Sequence, residues 1–259
     1  MMSAVWRGDD MRIGSFGAIR TVMARLKGRD RLMTLVERAD RPDGAEAVGD
    51  DGYRRIRSDV VFGRLRPGQK LKLETLKETY GVSVSTLREI LSRLTADGLV
   101  IAEGRRGFEV PPVSVDNLKE LAELRLLLES HAMQVSFQRA DVEWEGRVAS
   151  AHHKLASTER LMEQGIGELE QWKRYDGEFH QALISNCGSR VLMETHALVF
   201  DKYFRYQMVA FVYRGAEPAQ QHKGLLQCAL KRDAESARAI LTRHINNCVE
   251  HALETSSLR

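Results

Sequence analysis

Cysteine is scarce in this chain: three residues, Cys187, Cys228 and Cys248, with no CxxC pair. That count argues against a disulfide framework and against a thiolate zinc site. Proline is scarce too, five in 259 residues, and Pro218 is the one proline between 116 and 255, so long helices can run there. No apolar run reaches the roughly 18 residues that suggest a membrane span. The opening MMSAVWRGDDMRIGS lacks the apolar core of a secretory signal. A reducing, cytoplasmic setting is expected, with no membrane partner. Excess charge is also small, a formal +3. Any affinity for nucleic acid must therefore come from local clustering rather than overall charge. The 43% hydrophobic and 29% charged content is that of a globular chain with a real core, and 259 residues suit two domains.

The chain reads as three regions. Residues 1–50 form an Arg- and Gly-rich N-terminal extension, expected to be loosely ordered. Phe16, Ile19, Met23 and Leu26 line one face of a possible short helix there, and a basic arm would add phosphate contacts. RPDGAEAVGDDG (41–52) reads as a flexible linker. Residues 112–255 show helical periodicity almost without interruption. The breaks predict six helices, about 116–139, 141–164, 168–186, 189–213, 217–231 and 233–255. The fold class expected is mainly α, with an N-terminal winged helix-turn-helix and a C-terminal all-α bundle.

Residues 51–111 carry the winged unit. Ile56, Val60 and Val61 sit at helical spacing, and RPGQ is a turn. LKLETLKETYG is a short helix closed by Gly81. The next helix has Ser83 or Ser85 available as cap, with Leu87, Ile90, Leu91 and Leu94 on one face. LVIAEGRRGFEV reads as two short strands around a Gly-containing turn, and PPVSV then stops the unit. Between 53 and 110 there are 12 Lys/Arg against 7 Asp/Glu, an excess larger than that of the whole chain. Ser85, Thr86 and Arg88 open the third helix, the end that enters a major groove in helix-turn-helix proteins. Arg88 suits a bidentate guanine contact, Ser85 and Thr86 suit phosphates or base edges, and Arg105 and Arg106 at the hairpin tip suit backbone or minor groove.

In YDGEFHQAL (175–183), Asp176 and His180 stand i, i+4 on one helix face. A metal site, an acid/base pair and an ordinary polar stripe all fit that spacing. His222 and His244 lie on two later predicted helices, so the four groups can converge in a bundle core. Imidazoles with a carboxylate suit divalent Zn, Ni, Mn or Fe. The competing reading is solvated histidines, since His131, His152, His153, His196 and His251 show that histidine is common here.

"RLRPGQKL", "YGVS", "LREILSRLTADGLV" and "GRRGFEV" together resemble the N-terminal domain of GntR-type transcription regulators. Arg88 matches the family's recognition helix, whereas Val84 stands where the family has its first arginine. "ELRLLLES", "DGEFHQALISNCGSRVL" and "QHKGLLQCALKRDAESARAILTRHI" are similar to the FCD effector domain of the FadR-like subgroup. The resemblance implies a metal held by Asp176, His180, His222 and His244, and a pocket for a small effector, often a carboxylate, with Arg125 as a candidate cation beside it. Gly188-Ser189 departs from the subgroup's usual "GN".

The function expected is a ligand-responsive regulator rather than an enzyme. A single recognition helix reads only a half-site, so a homodimer on a pseudo-palindromic DNA operator is expected. A metal-dependent hydrolase or lyase, and a ligand-independent DNA-binding protein, are the alternatives. Against the enzyme stand the lack of a nucleophile elbow, a phosphate loop or a motif that places a separate general base.

Overall fold

The computed structural model describes residues 44–210 and 215–254. The readings on Phe16, Ile19, Met23 and Leu26 lie outside those residues. The chain divides into two compact units, Met1–Ala47 and Val48–Arg259. The account below concerns the second and the helix that leads into it.

That helix, α1 (Gly44–Val61), corrects the linker reading over 44–52; residues 41–43 lie outside the described ones. Composition pointed to a loop, but Gly52 has another use. Gly52 lies against the winged core, where an added Cβ would come within 3.0 Å of Val82 and 3.1 Å of Ile90. The missing side chain lets the helix backbone approach closely. Downstream, Ile56 and Val60 are fully buried and Tyr53 donates to Asp97 at 2.6 Å. Tertiary packing thus overrides weak helix propensity.

After α1 come β1 (Lys70–Leu71), α2 (Leu73–Tyr80), α3 (Val84–Ala96), β2 (Ile101–Ala102) and β3 (Phe108–Glu109). The strands form an antiparallel sheet in the order β1-β3-β2, with Leu71 opposite Phe108 and Ile101 opposite Glu109. Gly81 closes α2 with φ 68°, and Ser83 caps α3 by accepting from Thr86 N at 3.2 Å. The sequence reading anticipated the hairpin and missed β1. Leu87, Leu91, Leu94, Leu99 and Val110 make a dry core beneath.

The remaining helices are α4 (Val115–Gln138), α5 (Val142–Glu163), α6 (Leu169–Ile184), α7 (Arg190–Ala210), α8 (Ala216–Lys231) and α9 (Ala234–Glu254). They fall within a few residues of the expected spans. Ser114 and Asp141 cap α4 and α5 through side-chain oxygens. Gly188, at φ +73°, leaves room for the Arg139 guanidinium, which donates to Cys187 O at 3.3 Å. α4 packs on α6, α7 and α9, while α5 packs on α6 and α8. Trp144, Leu155, Phe179, Leu225 and Leu241 fill the interior.

The two cores meet along α7. Phe200 and Phe204 belong to the winged unit's apolar cluster, and Phe204 meets Phe62 edge-on at 5.3 Å between ring centres. Arg57 pairs with Asp201 and Arg64 with Glu170 across the same seam.

Gly52→Leu should destabilise the chain by roughly 1–3 kcal/mol through overpacking against Val82 and Ile90. Urea denaturation measures it. A neutral result would restore the linker reading.

Candidate metal centre and nucleic-acid interface

α6, α8 and α9 bring Asp176, His180, His222 and His244 to one point. All four are buried, and one ligand atom from each lies within 4.8 Å of the others. The solvated-histidine reading therefore fails for these three imidazoles. It fails for His196 as well, which is fully buried on α7, whereas His131 and His153 are exposed.

Each imidazole in the cluster is held from behind. His180 Nδ1 lies 2.9 Å from Glu129 Oε2, His222 Nδ1 2.6 Å from Glu159 Oε1, and His244 Nδ1 2.9 Å from Gln221 Oε1. Those oxygens only accept, so Nδ1 carries the hydrogen and Nε2 keeps its lone pair. His180 Nε2 and His222 Nε2 are buried without a hydrogen-bond partner, and the Asp176 carboxylate stands 3.1 Å from the latter. Electron pairs facing one another in a dry interior repel unless a cation lies among them. The donor set fits a borderline transition-metal ion, and the hydrogen-bonded Nδ1 atoms are the outer support such ligands ordinarily have.

Charge shifts follow the same geometry. Burial would raise the Asp176 carboxyl, but Lys173 and the neighbouring His222 and His180 hold it well below its usual range. Burial lowers His180, and it lowers His244 well below the ordinary value with help from the adjacent imidazoles. His222 goes the other way: burial opposes its charge, yet Asp176 and Glu159 outweigh burial and raise it.

Glu129 on α4 joins several parts of the site. Its Oε1 accepts from Arg125 Nε and from His196 Nε2, both at 2.7 Å, and its Oε2 holds His180. Burial would raise its carboxyl, but Arg125 and His180 hold it well below the usual range. Arg125 is fully buried over the rings of Phe200 and Tyr203, with Nη1 and Nη2 lacking hydrogen-bond partners. A cavity of about 20 Å³ opens beside the cluster, lined in part by Lys173, Asp176, Gln207, His222, His244 and Cys248. Lys173 reaches Asp176 Oδ2 at 3.4 Å and Gln207 at 2.8 Å.

Sequence reasoning missed Glu129, Glu159, Gln221, His196 and Lys173. A signal for Glu129 was present. Arg125 and Glu129 fall in register with the buried stripe Leu118, Leu121, Ala122, Ala132 and Met133, and charged residues on an apolar face demand partners.

At the other end of the chain, Ser85 and Arg88 are exposed and Thr86 is half-buried on the first turns of α3. The hydroxyls of Ser85 and Thr86 cluster on Ser83 Oγ at 2.8 and 2.9 Å. Arg106 is exposed, and it and Arg105 lie in the tight turn Gly104–Arg106 that joins β2 to β3.

Comparison with known proteins agrees with this division. The family model "Bacterial regulatory proteins, gntR family" matches residues 50–110, and the FCD domain model matches 120–247. The HTH-type transcriptional regulator BphR of Paraburkholderia xenovorans is 36% identical over 80% of this chain and 86% of its own. The chain belongs to the GntR family. A second GntR-type relative, the HTH-type transcriptional repressor GlaR of Escherichia coli, is 29% identical over 75% of this chain and 91% of its own. Among solved structures, E. coli McbR/YncC superposes with a TM-score of 0.69 at 19% identity, over 80% of this chain and 97% of that one. A putative GntR regulator from Rhodococcus superposes at 0.66 with 22% identity, over 80% and 97%. Those two likenesses show the fold. The protein is thus a DNA-binding transcription regulator with an FCD effector domain, and its relatives are regulators rather than enzymes. Among the described residues no helix is long and apolar enough to cross a membrane.

Glu129→Ala should cost about 3–5 kcal/mol, because it leaves the buried Arg125 charge uncompensated. Glu178→Ala, which breaks an exposed pair with Lys154, should cost less than about 1 kcal/mol. Chemical denaturation of both variants makes the comparison. Equal losses would show that Glu129 is no hub.

Proposed function

We propose that this chain is a cytoplasmic, metal-containing regulator that binds a pseudo-palindromic operator as a homodimer and responds to a small carboxylate. The observation that carries the reading is the convergence of one ligand atom from each of three buried imidazoles and of the Asp176 carboxylate, with His180 Nε2 and His222 Nε2 unpartnered. Asp176, His180, His222 and His244 would hold one divalent ion, of Zn, Ni, Mn or Fe type. When bound, such an ion supplies a Lewis acid to which a carboxylate oxygen can attach.

Charge supports a carboxylate effector. Around the cluster stand the carboxylates Asp176, Glu129 and Glu159, and the cations Arg125 and Lys173. Among the described residues named here, the set with a divalent ion carries one net positive charge, which a monoanion would neutralise. The two unpartnered Nη atoms of Arg125 offer donors suited to the same group. The cavity admits only a water-sized species as it stands, so a larger effector must move side chains, and pocket and effector are linked to a change of state.

At the operator, Arg88 is assigned to base reading, Ser85 and Thr86 to phosphates or base edges, and Arg105 and Arg106 to the backbone or minor groove. Val84, half-buried at the first position of α3, takes the place of an arginine the family resemblance led one to expect. The operator sequence should differ accordingly.

Purified protein should contain, or take up, about one equivalent of transition metal per chain, read by elemental analysis. His222→Ala should lose it and melt at lower temperature, while chelation should bring the wild type down towards the variant. Failure of the wild type to load any of the four metals would refute the site.

Arg88→Ala should weaken specific operator binding by roughly 1–3 kcal/mol and leave the fold intact. Equal weakening on random DNA would assign Arg88 to phosphate contact alone.

A further inference from the structure

Phe200 belongs to two parts of the molecule at once. Its side chain is buried with the winged unit's core, stacked on Phe204 at 6.3 Å, and Phe204 in turn meets Phe62, just past the end of α1. The same ring also faces the Asp/His cluster. Its centre lies 5.8 Å from the His180 ring and 5.6 Å from the His196 ring, and the Arg125 guanidinium sits 4.5 Å over it. Gly177, the residue after Asp176, brings bare backbone against it; a Cβ there would stand 3.2 Å from Phe200. The next two residues of α7 also touch the winged unit. Asp201 pairs with Arg57, and Lys202 covers Gly98.

We infer that Phe200 is the positioning residue through which the state of the Asp/His pocket reaches the DNA-binding unit. The inference rests on the metal reading above. A phenyl ring is rigid, and a close-packed interior passes displacement on rather than absorbing it. An ion fixes the His180 ring, which neighbours Phe200 directly. An anion drawn to Arg125 competes with the Phe200 face for the guanidinium. Either event changes what the ring packs against on one side, while its other side remains seated in the winged core. Coupling between two sites needs an element that contacts both and differs between two states.

The test is amide hydrogen exchange on the full chain, stripped of metal and then loaded with Zn²⁺ and, in parallel, Ni²⁺. In the wild type, loading should slow exchange in the later part of α1, residues 53–61, on the order of fivefold or more. Phe200→Leu should bind the ion with near wild-type affinity by calorimetry, yet lose most of that slowing. Phe62→Leu thins the same seam without touching a ring of the pocket. It should raise basal exchange and keep the response. A Phe200→Leu variant that responds like the wild type would overturn the inference, as would equal loss of response in both variants. A wild type that takes up metal with no change in α1 would overturn the coupling and leave the metal site standing. A wild type that takes up neither of these ions, nor Mn²⁺ nor Fe²⁺ added in the same way, would overturn both.

Discussion

Three imidazoles and a carboxylate that aim electron pairs at one buried point repel one another, and the surrounding protein has been built to keep them there. Asp176 and His180 are one turn apart on α6, so a single helix face supplies two of the groups. His222 and His244 arrive from α8 and α9, and every ring is pinned by an acceptor on its far nitrogen. Positive charge among the ligand atoms would relieve that repulsion. A divalent ion, as proposed, would answer that need.

The pinning groups extend the constraint outward. Glu129 and Arg125 tie α4 to the cluster, and Glu159 ties α5. His196 carries the network to α7, the helix whose other residues reach the winged unit. The interior charges are paired with one another rather than with solvent, which makes each of them costly to remove and keeps the set in one geometry. The interaction that defines the pocket is thus continuous with the packing that seats the DNA-binding unit.

Much of this was legible in the residues. The six helices of the effector domain follow from the near absence of proline between 116 and 255, and from breaks at Asp141, Gly165, Gly188 and Asp233. The four cluster residues were legible through spacing and resemblance together; spacing alone left three chemistries open. What escaped depends on tertiary context. The strand β1 is two residues long and exists by pairing with β3, which no local pattern reveals. The first half of α1 looks like a linker because its glycines are read as loop formers, when Gly52 serves close approach to Val82 and Ile90. His196 resembled its exposed neighbours in composition, and only the fold shows that it donates to a buried carboxylate.

The most direct measurement is X-ray absorption at the metal edge of the loaded full-length protein. The account predicts a shell of nitrogen and oxygen donors with the outer-shell scattering of three imidazoles, reduced by one in His244→Ala. A spectrum with no imidazole scattering, or one unchanged in that variant, would place the metal elsewhere and contradict the account.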